Sequence, residues 1–187
     1  VKLLCALLLP AMLFAQNSTL SIQTSLGNIE IEVDSAHAPA TAANFFRYVD
    51  AGLYEGGQFH RTVRADNQPG NKIKIEVIQA GRTTEAKGFA PIALERTSIT
   101  GLRHLDGSLS MARSGPDTAT SDFFICIGDQ PSLDFGGRRN PDGQGFAAFG
   151  RVTKGMETVR KIQSLSADDK QKLTPPVKIA KISRISK

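Results

Sequence analysis

The feature that most constrains this chain is a succession of short strand-like runs separated by segments rich in glycine, proline, asparagine and aspartate. Ile29-Glu30-Ile31-Glu32-Val33 alternates strictly, with isoleucine and valine on one face, and together with residues 18–23 across the Gly27-Asn28 turn it reads as an opening β-hairpin. Further strands are expected at 58–64, 73–79, 107–113, 122–128 and 146–152, with a last one at 177–186 after Pro175-Pro176. Helical spacing occurs twice. It begins at Pro39, where Ala42, Phe45, Phe46 and Val49 share a face and Gly52 supplies the stop, and it returns at 154–164 through Met156, Val159 and Ile162. Many strands and two helices imply a mainly β fold, a closed antiparallel barrel whose ends the helices cover, because closure removes exposed strand edges. An open sandwich is the alternative. The loops 66–72 and 134–144 read as surface excursions.

At 187 residues, 40 % hydrophobic and 22 % charged, the chain fits one globular domain, placed at 16–187. Residues 1–15, VKLLCALLLPAMLFA, hold one lysine and an apolar stretch shorter than the ~20 residues that span a bilayer. They read as a secretory signal cleaved before Gln16. A periplasmic or secreted protein without stable membrane insertion is the expectation, and a monomer. Cys126 would then be the sole thiol, and its place in the run FFICIG suits burial. The histidines at 37, 60 and 104 and the two cysteines do not fall at metal-ligand spacing, so neither metal nor cofactor is expected. The net charge of +5 is dispersed along the chain, which argues against a nucleic-acid partner.

Several strings then converge. Phe59-His60-Arg61, Ile78-Gln79-Ala80-Gly81, residues 107–113 (GSLSMAR), residues 121–125 (SDFFI) and Phe149-Gly150-Arg151-Val152 followed by Gly155-Met156 resemble, in order and approximate spacing, the cyclophilin-type peptidyl-prolyl cis-trans isomerases. The resemblance covers about residues 20–186. It implies an eight-stranded antiparallel barrel capped by two helices, an active groove on the outer wall, and proline-containing unfolded or partly folded polypeptides as partners. By the same resemblance Arg61 and Gln79 are the catalytic pair. Phe124, Val77, Leu133 and, at the edge, Phe146 line a proline pocket, Ala112 and Arg113 align the peptide, and His60 packs under the site.

Three positions depart from the family pattern. Glu76 stands where a phenylalanine is usual at the pocket edge, Val77 replaces a methionine, and Asp122 replaces a glutamine. A shallower, more polar pocket is expected, with the Glu76 carboxylate close to Arg61. About ten extra residues between Arg61 and Gln79 read as an extended hairpin beside the groove. Isomerisation transfers no net proton, so His60 is assigned a structural role. Phe123 and Phe124 are adjacent and face opposite sides of a strand, core and pocket respectively. Ser121, Asp122 and His60 lack the strained elbow of a hydrolase nucleophile. Two rival readings stay open: a catalytically weak peptide-binding or holdase module on the same barrel, and a carrier that binds a ligand in the barrel lumen.

Overall fold

The computed structural model describes residues 18–83, 85 and 87–185; the expected signal segment lies outside them. Eight strands close into one antiparallel barrel: β1 (Ser18–Thr24), β2 (Gly27–Val33), β3 (Gln58–Val63), β4 (Val77–Gly81), β5 (Ser108–Met111), β6 (Phe123–Cys126), β7 (Ala147–Lys154) and β8 (Lys172–Arg184). Around the barrel they run β1-β2-β7-β5-β6-β4-β3-β8. Helix α1 (Pro39–Asp50) follows the end of β2, while α3 (Met156–Gln163) packs on β2, β3 and β4 near the Gly27 turn, so the two cover opposite ends. The one-turn helix α2 (Thr97–Thr100) and a 3-10 turn at Pro131–Leu133 complete the set.

The alternation seen in the sequence sets what faces inward. Leu20, Ile22, Ile29, Ile31, Val33, Leu109, Phe149, Ile179 and Ile182 fill the lumen and are buried. Helix α1 drives Phe45 into this core, where its ring lies 5.5 Å from Phe123, 5.4 Å from Tyr54 and 5.2 Å from Phe149. A lumen packed with side chains has no room for cargo, and the carrier reading falls with it. Cys126 is likewise fully buried, and burial pushes its thiol far above the ordinary range, as an inert core cysteine requires.

Three elements differ from expectation, each for a physical reason. Strand β8 begins at Lys172, five residues early, and runs through both prolines. Opposite β3, the register jumps from Phe59↔Val177 to Arg61↔Lys172, so Pro175 and Pro176 sit in the irregular stretch where no ladder N–H is needed. The segment before β4 is a loop and not a hairpin. The Gln68 side chain donates to the carbonyls of Arg64 (2.7 Å) and Ile75 (2.8 Å), holding that loop in place of a strand ladder. A third helix, α2, appears in a stretch with no clear periodicity.

That stretch also completes α1. Ala38 gives α1 no side-chain cap. The Glu95 carboxylate reaches in from the loop instead and accepts the N–H groups of Ala40 (3.0 Å) and Thr41 (2.8 Å), satisfying orphan donors and placing negative charge at the positive end of the helix.

Candidate active site

The site begins with a bulge. Between Phe59 and Arg61 the β3–β4 register shifts by one, so His60 is the extra residue, Phe59 stays in the core, and Arg61 comes to face outward opposite Gln79. Gln79 in turn pairs with Phe124 on β6, which pairs with Ser110 on β5. Strand pairing therefore sets Arg61, Gln79 and Phe124 in one row across the barrel wall. Along β4 and the residue pair preceding it, Ile75, Val77 and Gln79 point to this side and Ile78 and Ala80 to the core.

A hollow of about 300 Å³ opens over the row. Its lining combines the apolar Phe124, Val77, Ile75, Leu133, Ala112 and Phe146 with the polar Arg61, Gln79, Asp122, Thr120, Arg113, Ser114 and Thr118. The Phe146 ring stands edge-on to Phe124, 5.3 Å between centroids. Buried apolar side chains beside a few convergent polar groups are the makings of a small apolar side-chain pocket.

The guanidinium of Arg61 is held on two sides by neutral amides. Nη1 donates to Gln79 Oε1 (3.2 Å), while Nε and Nη2 both donate to Gln171 Oε1 (3.1 and 2.6 Å). Three of its five N–H groups are thereby used, and two have no partner among the described residues. Partial burial, with the Arg139 charge nearby, lowers the Arg61 pKa from its ordinary value, yet an arginine remains a cation at neutral pH. Asp122 stands beside the pair, its Oδ2 3.5 Å from Gln79 Nε2 and 3.7 Å from His60 Nε2.

Nine of the eleven residues expected at the site border this hollow: Arg61, Gln79, Phe124, Val77, Leu133, Phe146, Ala112, Arg113 and Asp122. Two do not. Glu76 turns aside, as alternation between Ile75 and Val77 demands, and accepts a hydrogen bond from Gln163 Nε2 at the end of α3 (2.7 Å). The expected contact between Glu76 and Arg61 is replaced by the two glutamines. His60 projects from the bulge into a neighbouring depression formed with Gln58, Lys172, Leu173 and Pro176, rather than under the hollow.

Arg113 is built into a wall. Its side chain is 1 % exposed, donates to Gly145 O (2.8 Å) and in a bidentate pair to Asp142 (2.8 and 3.0 Å), and lies 5.0 Å from the centre of the Phe146 ring. It thus pins the long loop after Leu133 against the hollow. Arg139 of that loop donates to Ile73 O (2.6 Å), tying it to the loop that precedes β4.

Beneath the floor lies a histidine that does not line the hollow itself. The His104 ring stacks on Phe124, with centroids 6.0 Å apart and planes at 15°. Its Nδ1 meets Asp134 Oδ1 at 2.6 Å and its Nε2 meets Ser110 Oγ at 2.9 Å. The trio has the connectivity of a hydrolase triad, but Ser110 is fully buried and no substrate can reach it. Its work is to hold the floor.

Burial by itself would raise the Asp134 carboxyl, but hydrogen bonds from the His104 ring and backbone N–H outweigh burial and hold it below its ordinary 3.8. A carboxylate lowered by folding stabilises the fold above its unfolded pKa and loses that contribution as pH falls through the folded value. Between pH 5 and pH 3 the wild-type protein should therefore lose more stability to urea than Asp134→Asn does. Equal losses would show that this carboxylate is not linked to folding.

Comparison with known proteins agrees with this fold. The sequence model of the family described as "Cyclophilin type peptidyl-prolyl cis-trans isomerase/CLD" matches residues 19–184. Peptidyl-prolyl cis-trans isomerase A of Dickeya dadantii is 36 % identical over 161 residues, covering 86 % of this chain and 78 % of its own. A peptidyl-prolyl cis-trans isomerase of Streptomyces antibioticus is 37 % identical over 153 residues, 79 % of this chain and 84 % of its own. A crystal structure of a cyclophilin-type isomerase from Cryptosporidium parvum shares the fold, with a TM-score of 0.74 at 23 % identity over 92 % of this chain and 99 % of that one. From residue 19 to residue 184, the chain belongs to the cyclophilin-type peptidyl-prolyl cis-trans isomerases.

Proposed function

We propose that this isomerase rotates X-Pro bonds by gripping the proline ring in the hollow over Phe124 while Arg61 stabilises the twisted amide. An X-Pro bond crosses a barrier close to the ~18–20 kcal/mol of ordinary peptide bonds and exchanges over tens to hundreds of seconds. Twisting destroys amide resonance, leaving a localised lone pair on nitrogen and a carbonyl that no longer shares charge. A fixed cation with two N–H groups to spare donates more strongly to that state than to either planar isomer, and only such a difference accelerates the reaction. No bond is broken, and no proton is transferred.

The observation that carries the reading is the position of the Arg61 guanidinium: clamped beside an apolar hollow with two donors unoccupied among the described residues. Phe124, Val77, Leu133 and Phe146 bury the pyrrolidine ring, and the Asp122 carboxylate at the rim meets the flanking peptide. The groove is complete within one chain, so a monomer suffices. Of the two residues that favour a weak binding module, Glu76 and the shortened Val77, Val77 lines the hollow, while Glu76 stands outside it and lends that alternative no support. A protease-coupled assay on a short X-Pro peptide, run on wild type and Arg61→Ala, is the test; equal rates would sink the proposal.

The clients are placed outside the cytoplasm, where slow prolyl steps limit the folding of exported chains. This part rests on the apolar segment 1–15. The intact mass of the protein recovered after export should correspond to a chain starting at Gln16. A mass that retains residues 1–15 would make the segment an anchor instead.

A further inference from the structure

We infer that Gln171 is the positioning residue that fixes the Arg61 guanidinium in its working orientation. The inference rests on the reading of Arg61 above and adds a residue that lies 110 positions away in sequence. Gln171 Oε1 accepts both Nε–H and Nη2–H of Arg61, whereas Gln79 accepts one N–H from Nη1. Removing Gln79 would leave two of the three bonds. Removing Gln171 would leave one, about which the guanidinium can swing.

The amide of Gln171 has only one possible orientation. A guanidinium is purely a donor, so it must face Oε1; on the other side Nε2 donates to the carbonyl oxygen of Asn67 (2.9 Å), purely an acceptor. Asn67 is itself pinned, its Oδ1 accepting Arg64 N–H (2.8 Å) and its Nδ2 donating to Thr62 O (3.0 Å). The loop preceding β4 thereby supports the site through one side chain.

The backbone points the same way. Gln171 has φ 68°, one of two non-glycine residues described with positive φ, and it is buried. A glutamine gains nothing locally from that conformation, which glycine and asparagine adopt at lower cost. Strain of this kind persists where the surroundings impose it and clusters at functional sites. Here it turns the side chain toward Arg61, while the main chain is fixed by Thr62 N–H donating to Gln171 O (3.0 Å) and by Gln171 N–H donating to Asp168 O (2.9 Å). Neutrality matters as well. A glutamate would hold the cation equally firmly but pair with its charge, weakening what the two remaining donors offer the substrate.

Two variants separate positioning from loop structure. Gln171→Asn suits the positive φ and keeps an amide, but withdraws it by one methylene. Gln171→Met keeps the length and has no comparable acceptor. Both should unfold close to the wild-type temperature. In both, hydrogen exchange at Arg61 Nε–H, followed by NMR and assigned by its loss in Arg61→Lys, should quicken. The value of kcat on an X-Pro peptide should fall ~10-fold or more, since small misplacement of a catalytic group is costly, with KM little changed because the apolar grip is untouched. Unchanged Nε–H exchange in both variants overturns the inference, as does faster exchange with wild-type kcat. Those results leave the reading of Arg61 standing if Arg61→Ala is inactive. An Arg61→Ala protein as active as wild type removes that reading, and this inference with it.

Discussion

Arg61→Ala is expected to lower kcat/KM for X-Pro isomerisation by about 10²–10³-fold, the loss typical when a preorganised donor to a transition state is removed. The fold should survive. The side chain lies beside an open hollow, so water can enter the space it vacates and hydrogen-bond to the two glutamine oxygens it leaves, Gln79 Oε1 and Gln171 Oε1, which then do not become buried orphans. KM should change less than kcat, because the ring-binding surface of Phe124, Val77 and Leu133 is untouched and contributes equally to planar and twisted states. Arg61→Lys is the informative companion. It keeps the charge, but an ammonium is a point donor that cannot satisfy Gln79 and Gln171 together and still present two N–H groups to a substrate. Its rate should fall well below wild type. A drop of less than about threefold in the alanine variant would leave the guanidinium without a catalytic role.

The barrel was largely legible because a strand with one buried face writes its orientation into a period of two. Ile29, Ile31 and Val33 announce β2, and the same rule assigns Phe123 and Phe124 to opposite sides of β6. Resemblance to a family points to Arg61, Gln79 and Phe124; the register Arg61↔Gln79↔Phe124 shows why they stand in one row. Alternation, not aligned position, decides where Glu76 stands: with Val77 and Gln79 facing the hollow, Ile75 belongs beside them and Glu76 does not. Ile75 was recoverable from the sequence by that rule.

The rest was invisible for a different reason. Gln171, Glu95 and His104 act through hydrogen bonds, and for His104 also a ring contact, to residues on other segments of the chain, and such partners leave no periodic trace in their own neighbourhoods. Gln171 sits in a polar run, Glu95 in a loop, and His104 next to the exposed Leu105. Each owes its role to where the closed barrel brings it. The early start of β8 was hidden by prolines that ordinarily end a strand, and the irregular pairing opposite the Phe59–Arg61 bulge accommodates them.

The largest effect on stability is expected one residue from the pocket floor, at Phe123. Its ring is fully buried and packs edge-on against Phe45 at 5.5 Å, Tyr54 at 5.6 Å and Phe59 at 6.2 Å, joining α1 to the barrel wall. Phe123→Ala removes those contacts and leaves a cavity between elements that cannot easily collapse onto each other, costing about 3–5 kcal/mol. Against a typical total of about 5–15 kcal/mol that is a large share. For a chain of this size it corresponds to roughly 6–20 °C in the unfolding midpoint. Phe124→Ala is the control that separates architecture from chemistry. That ring is equally large, but it faces a hollow open to water, so its removal enlarges existing space rather than creating a sealed void. The Phe123 variant should therefore lose more stability than the Phe124 variant, and the Phe124 variant more activity per folded molecule. A Phe123→Ala midpoint within about 2 °C of wild type would mean that α1 is not held to the barrel through this ring, because no other aromatic side chain of β6 faces Phe45 and Tyr54 together.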